Sequence, residues 1–135
     1  ERLHLASGEC QIMPIKVRAW PANNPVALVS RSHLDPGTER LLERLGSPRQ
    51  ESCGSSVKFC RVAEGVADLY PRLGRTSEWD LAAGHAVLAA AGGVAIDLSG
   101  RPLRYGNAAA GFRIEAFIAA GDRGAAERAA ELARP

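Results

Sequence analysis

Apolar positions fall into short unbroken runs that alternate with segments of helical period, the pattern of an α/β chain. Val26-Ala27-Leu28-Val29-Ser30 is rich in β-branched residues and predicts a strand buried on both faces. It delivers Ser30-Arg31-Ser32-His33 at its C-terminal end, where open α/β sheets bind ligands. Asp35-Pro36 then reads as N-cap and first helical residue; Leu41, Leu42 and Leu45 mark one apolar face, and Gly46 stops the helix. After Pro48 a short strand leads into Ser52 to Lys58 and a helix with Phe59, Cys60 and Ala63 inward, closed by Gly65.

The second part of the chain repeats this grammar. Ala67 to Arg72 predicts a strand with Leu69 inward and Arg72 leaving at its end, and Gly74 to Ser77 turns the chain. A helix opening at Trp79-Asp80 runs to Gly92-Gly93. Its residues Ala82, Ala83, Ala86, Ala89, Ala90 and Ala91 carry so little bulk that close packing against a sheet is expected. Val94 to Asp97 predicts a strand, Ser99-Gly100 a turn, Pro102 to Tyr105 an extended piece and Phe117 to Gly121 a last buried strand. Asp122 caps a final helix to about Ala133, with Glu127 and Glu131 one turn apart. Residues 1–25 show no clear period: Ile12 to Arg18 reads as a short edge strand limited by Pro14, and Pro21 to Pro25 as a loop. The expected architecture is a mixed sheet of about five strands flanked by helices.

Composition narrows the function. The 135 residues are 46% hydrophobic and 24% charged with a formal charge of +2, enough for one domain with a real core. Basic residues are scattered rather than gathered in a stripe, which argues against a nucleic-acid polymer as partner. No apolar run approaches the roughly 20 residues of a membrane span. Cys10, Cys53 and Cys60 lack zinc or disulfide spacing and read as thiols in a reducing cytoplasm. The start, Glu1-Arg2-Leu3-His4, has no signal-peptide core, and the lone methionine is Met13; a piece of a longer polypeptide is expected.

Four places carry candidate chemistry. Gly54-Ser55-Ser56-Val57-Lys58 sets hydroxyls, free N–H groups and a cation around a helix start, either an anion site or a plain capped helix. Arg72 can clamp phosphate, stack on a base, or simply be solvated. His33 is equally a turn histidine or a ligand contact. Asp80, at a helix start that favours negative charge, is a cap or a functional carboxylate.

The run Trp79-Asp80-x-Ala82-Ala83-Gly84, followed by Ala91-Gly92-Gly93, Asp97, Gly100 and Leu103, resembles the C-terminal signature of the magnesium-dependent inositol monophosphatase-like superfamily. Val29 to His33, Gly54 to Cys60, Val62 to Arg72 and Trp79 to Gly93 are similar to its CysQ-type 3'(2'),5'-bisphosphate nucleotidase branch, over roughly residues 12–120. The resemblance implies the C-terminal half of that fold. Residues 1–25 would be the remnant of a junction with a missing N-terminal half, and 26–135 a nucleotide-binding α/β domain. It further implies hydrolysis of the 3'-phosphate of adenosine 3',5'-bisphosphate to AMP, in sulfur assimilation and nucleotide recycling. His33, Ser55, Lys58 and Arg72 would surround the adenosine 5'-phosphate, and Asp80 would bind Mg2+ and act in catalysis. The location implied is cytoplasmic, with attachment to the inner membrane's cytoplasmic face left open.

The departures matter as much. The family's upstream Glu and Asp-Pro-x-Asp-Gly-x-Thr motif are missing, and Asp35-Pro36-Gly37-Thr38 lacks the second Asp and sits at a helix start. One carboxylate cannot hold a magnesium cluster, so the chain is expected to be inactive alone. Two readings stay open beside the nucleotidase: an inositol monophosphatase-type enzyme, and a non-catalytic nucleotide-binding or interaction module. An apolar face left without the upstream half would favour self-association.

Overall fold

The computed structural model describes residues 2–6, 9–31 and 34–134. In chain order, β1 (Arg2–Ala6) and β2 (Glu9–Met13) form an antiparallel hairpin. There follow β3 (Val26–Ser30), α1 (Pro36–Arg44), β4 (Arg49–Cys53), α2 (Val57–Ala63) and β5 (Leu69–Arg72). The chain closes with β6 (Thr76–Ser77), α3 (Glu78–Ala90), β7 (Val94–Ile96), β8 (Arg113–Ile114), β9 (Phe117–Ala120) and α4 (Arg123–Ala133).

Among the described residues, five strands make one mixed sheet, as the sequence pattern predicts, and their order is β4-β3-β5-β9-β7. β3 runs parallel to both β4 and β5, whereas β9 is antiparallel to β5 and β7. Alternation along β3 splits the core, since successive strand residues face opposite sides. Val26 and Leu28 join Phe59, Val62, Leu81, Leu88 and Phe117 under α2 and α3. Ala27 and Val29 join Leu41, Leu42, Ile118, Ala126 and Ala130 under α1 and α4. The result is three layers, with the sheet in the middle.

Several details depart from the sequence-based expectation. The edge strand is Glu9–Met13, not Ile12 to Arg18: Pro14 has no N–H to donate, so the ladder stops before it. Beyond it, Ile15 and Val17 pack on the core and Val17 N–H donates to Ala91 O at 3.1 Å. The inward face of α2 is Lys58, Phe59, Val62 and Ala63, with Cys60 only half-buried. On α3 the buried stripe is Leu81, Gly84, Leu88 and the following Ala91, at helical spacing. Ala82, Ala83, Ala86, Ala89 and Ala90 face outward instead of toward the sheet. Close approach comes from Gly84: a Cβ there would lie 2.6 Å from Phe59 Cδ2.

Phe59 is held on every side, its ring 5.2 Å from Tyr70 edge-on and 5.7 Å from Phe117 in a stack. A second anchor is Asp68, buried at the end of the loop before β5. It accepts from Arg18 Nε at 2.6 Å, Arg18 Nη2 at 2.7 Å and Val26 N–H at 2.7 Å. These contacts tie together the N-terminal ends of β3 and β5.

Candidate functional site

A cleft of about 340 Å³ opens at the C-terminal ends of β3 and β5, beside the starts of α2 and α3, lined by Ser30, Ser55, Ser56, Lys58, Tyr70, Arg72, Trp79, Asp80 and Leu81. Four of the five sequence-predicted site residues therefore converge: Ser55, Lys58, Arg72 and Asp80. His33 lies outside the described residues. A larger groove of about 630 Å³ runs past Asp97, Arg101, Arg113 and Glu115. Two ion pairs border it, Arg101 to Asp97 and Arg75 to Glu115, each at 3.0 Å, and Arg104 and Arg113 line it as well.

The floor of the cleft is the β4–α2 turn. Ser55 has φ +53° and the next residue, Ser56, φ −66°; such a change of hand turns successive N–H groups to one side, an anion-holding nest. Lys58 is 3% exposed and crosses beneath this turn. Its ammonium donates to Cys53 O at 2.8 Å and Ser55 O at 3.0 Å and lies 4.8 Å from the Tyr70 ring centroid. Burial pushes the Lys58 pKa down; the neighbouring Cys53 opposes that and Arg72 adds to it. The lysine thus holds the turn's shape and keeps positive charge under the nest.

Arg72 leaves β5 as its sequence position suggests and donates to Gly74 O and Arg75 O, both at 3.3 Å. These long bonds to loop carbonyls orient the guanidinium toward Tyr70. Burial raises the Tyr70 pKa, and a hydrogen bond with Arg72 partly offsets it. Tyr70 and Leu81 join the site without a sequence signal for it: Tyr70 enters because β5 pairs between β3 and β9, and Leu81 because it follows Asp80 on α3.

Asp80 is the third residue of α3. Its Oδ2 accepts from Thr76 Oγ1 at 3.2 Å and from Ser77 N–H at 3.4 Å, so it does cap its helix. The side chain nonetheless stays exposed at the cleft. Asp35, by contrast, is spent on α1, accepting from Thr38 N–H at 2.8 Å and Thr38 Oγ1 at 2.7 Å. Magnesium asks for about six oxygen ligands, with carboxylates among them. Among the described residues no three His, Cys, Asp or Glu side chains gather around a common point. Asp80 alone does not fit a complete magnesium site, and no catalytic step through the metal follows from these residues.

On the far side of α3, His85 Nδ1 and the Tyr105 hydroxyl are 2.8 Å apart. Burial lowers the His85 pKa and, with the Glu78 carboxylate nearby, raises that of Tyr105 to about 12. No helix among the described residues is long and apolar enough to cross a membrane.

The chain is similar to known proteins over most of its length. The model of the inositol monophosphatase family matches residues 7–134. The 3'(2'),5'-bisphosphate nucleotidase CysQ of Escherichia coli is 48% identical over 97 residues, 72% of this chain and 39% of that protein. The crystal structure of CysQ from Bacteroides thetaiotaomicron superposes with a TM-score of 0.69 at 40% identity, covering 82% of this chain and 41% of that one. An inositol monophosphatase from Zymomonas mobilis gives the same TM-score at 25% identity over 94% of this chain and 47% of its own. The chain thus spans well under two thirds of these relatives' length.

Proposed function

Because the chain belongs to the inositol monophosphatase family, we propose that it forms the nucleotide-holding part of a magnesium-dependent 3'(2'),5'-bisphosphate nucleotidase acting on adenosine 3',5'-bisphosphate in the cytoplasm. The observation that carries this reading is the convergence of Lys58, Arg72 and the Ser55–Ser56 nest on one side of a cleft whose other side is Asp80. A substrate with two phosphates needs a cationic seat for the one it keeps and a metal-dependent centre for the one it loses. In this reading Lys58, Ser55 and Arg72 seat the retained 5'-phosphate, and His33 joins them. Asp80 gives one oxygen to Mg2+, whose remaining ligands lie outside these residues. The ion would stabilise charge on the transferred phosphate.

A polyol monophosphate has no second phosphate for the cationic seat, which disfavours the inositol monophosphatase reading. A non-catalytic nucleotide-binding module has one point in its favour, the single carboxylate at the cleft. The outward face of α3, with Ala82, Ala83, Ala86 and Val87, would pack against the rest of a full-length member or, in its absence, a second copy.

Calorimetric titration of the folded chain with adenosine 5'-phosphate and inositol 1-phosphate tests the reading, with circular dichroism reporting the fold. Preferential nucleotide binding that weakens in both Lys58→Ala and Arg72→Ala is expected. Equal or better binding of inositol 1-phosphate refutes the nucleotide assignment, and magnesium-dependent phosphate release by the 135-residue chain refutes the divided metal site.

A further inference from the structure

Trp79 lines the cleft yet is 69% exposed, and Phe112 beside it is 40% exposed. Their ring centroids are 6.2 Å apart with planes tilted by 54°. Two large aromatic rings left in water gain little from each other, so burial does not explain the pair.

The backbone beneath Phe112 is strained. Its φ of +56° is a left-handed value that a bulky side chain rarely adopts. Such conformations persist only where the surroundings over-determine them, and they cluster at sites of function. Here the surroundings are explicit. Phe112 O accepts from Glu78 N–H at 2.8 Å, and Phe112 N–H donates to Asn107 O at 2.9 Å. The Glu78 carboxylate, 6% exposed, accepts from Gly106 N–H at 2.6 Å and Asn107 N–H at 3.0 Å. The loop from Gly106 to Phe112 is therefore bolted to the first turn of α3, the turn that carries Trp79 and Asp80.

We propose that Trp79, braced by Phe112, is the surface on which the base of a bound nucleotide stacks while its phosphate occupies the cleft of Lys58 and Arg72. This rests on the nucleotide reading of that cleft. A cationic groove flanked by an exposed aromatic face is the composition that holds a sugar phosphate and its base together, since every base offers a π-face to an indole. Trp79 and Phe112 would thus decide for a nucleotide against a phosphate ester without a base, a choice that Lys58 and Arg72 alone cannot make.

The test compares adenosine 5'-phosphate with ribose 5-phosphate, which differ only in the base, by calorimetry on the full chain. A stacked base adds about 5- to 150-fold in affinity. In Trp79→Ala that ratio should fall to about one with ribose 5-phosphate affinity unchanged, Trp79→Phe should keep most of it, and Phe112→Ala should reduce it partly. A folded Trp79→Ala that keeps the preference overturns the platform, as does wild-type chain that binds the two ligands equally. Equal loss of both ligands in Trp79→Ala also overturns it, by making the indole merely structural. In each case the phosphate cleft stands. Folded wild-type chain that binds neither ligand overturns the cleft and the platform together.

Discussion

Gly84→Ala sets two magnitudes of opposite sign against each other. Alanine is favoured over glycine in a helix interior by about 1 kcal/mol, so propensity alone predicts a more stable protein. Geometry predicts the reverse. The new methyl would sit 2.6 Å from Phe59 Cδ2, 2.9 Å from Cγ and 3.0 Å from Cβ. Carbon atoms prefer roughly 3.5–4.0 Å, so α2 and α3 must separate by about 1 Å or Phe59 must turn. The ring cannot turn freely, being fully buried between Tyr70 and Phe117. With three contacts this close and the ring locked, the cost falls in the upper part of the range for overpacking, about 2–3 kcal/mol, which leaves a net loss of about 1–2 kcal/mol once the propensity gain of about 1 kcal/mol is deducted. In urea unfolding the midpoint should fall by roughly 0.5–1 M with an unchanged slope. Affinity for adenosine 5'-phosphate should fall too, because Lys58 adjoins Phe59 on α2 and Trp79 and Asp80 ride on α3. Ala86→Gly, on the outward face of α3, supplies the control: it costs about 1 kcal/mol by propensity and leaves binding intact. Gly84→Ala as stable as wild type, or more so, would refute the close packing of α2 on α3.

Other residues give equally direct outcomes. Asp68→Ala strands the Val26 N–H and frees Arg18. Hydrogen bonds to a buried charge set the loss at about 2–4 kcal/mol in chemical denaturation; a loss under about 0.5 kcal/mol would count against the anchor. Glu78→Ala removes the acceptor of two loop amides, and amide exchange at Gly106 and Asn107 should quicken about tenfold or more while the central strands stay protected. Tyr105, with its pKa raised to about 12, should ionise well above the ordinary 10 in an absorbance titration. A folded state that binds this proton more tightly than the unfolded chain loses stability as pH rises from about 10 to about 12, and Tyr105→Phe should flatten that decline.

The layered fold was legible because its strands are apolar runs bounded by turn residues, and Asp35-Pro36 and Asp122 punctuate helices where the structure puts α1 and α4. The hairpin of β1 and β2 was missed, although Arg2-Leu3-His4-Leu5-Ala6 and Glu9 to Met13 alternate about a Ser-Gly pair. Five-residue alternations are short enough to pass as irregular. The alanines of α3 misled for a different reason: small residues permit close packing on any face, and only the Leu81, Gly84, Leu88 spacing says which face is used. Ser55, Lys58, Arg72 and Asp80 could be read because each follows a strand or opens a helix. Tyr70 could not, because its membership depends on strand order, nor could Phe112, whose place beside Trp79 depends on Glu78 gripping a loop 28 residues away.

That grip clarifies how the cleft divides its labour. Lys58 is buried among carbonyl oxygens at a pKa below its ordinary value, so its ammonium form is held against the cost of desolvation. An arriving phosphate adds opposite charge at close range and favours that form, so ligand binding and Lys58 protonation strengthen each other. Asp80 works in the opposite sense, a carboxylate that a phosphate tolerates only with a cation between them. The two ends of the cleft therefore differ in what they require. In the proposed reading the cationic end draws its residues from this chain, whereas the acidic end needs a bound cation and further oxygen ligands. On that same reading, a chain built this way would hold a nucleotide by its retained phosphate and its base and lend one carboxylate to the chemistry at the other phosphate.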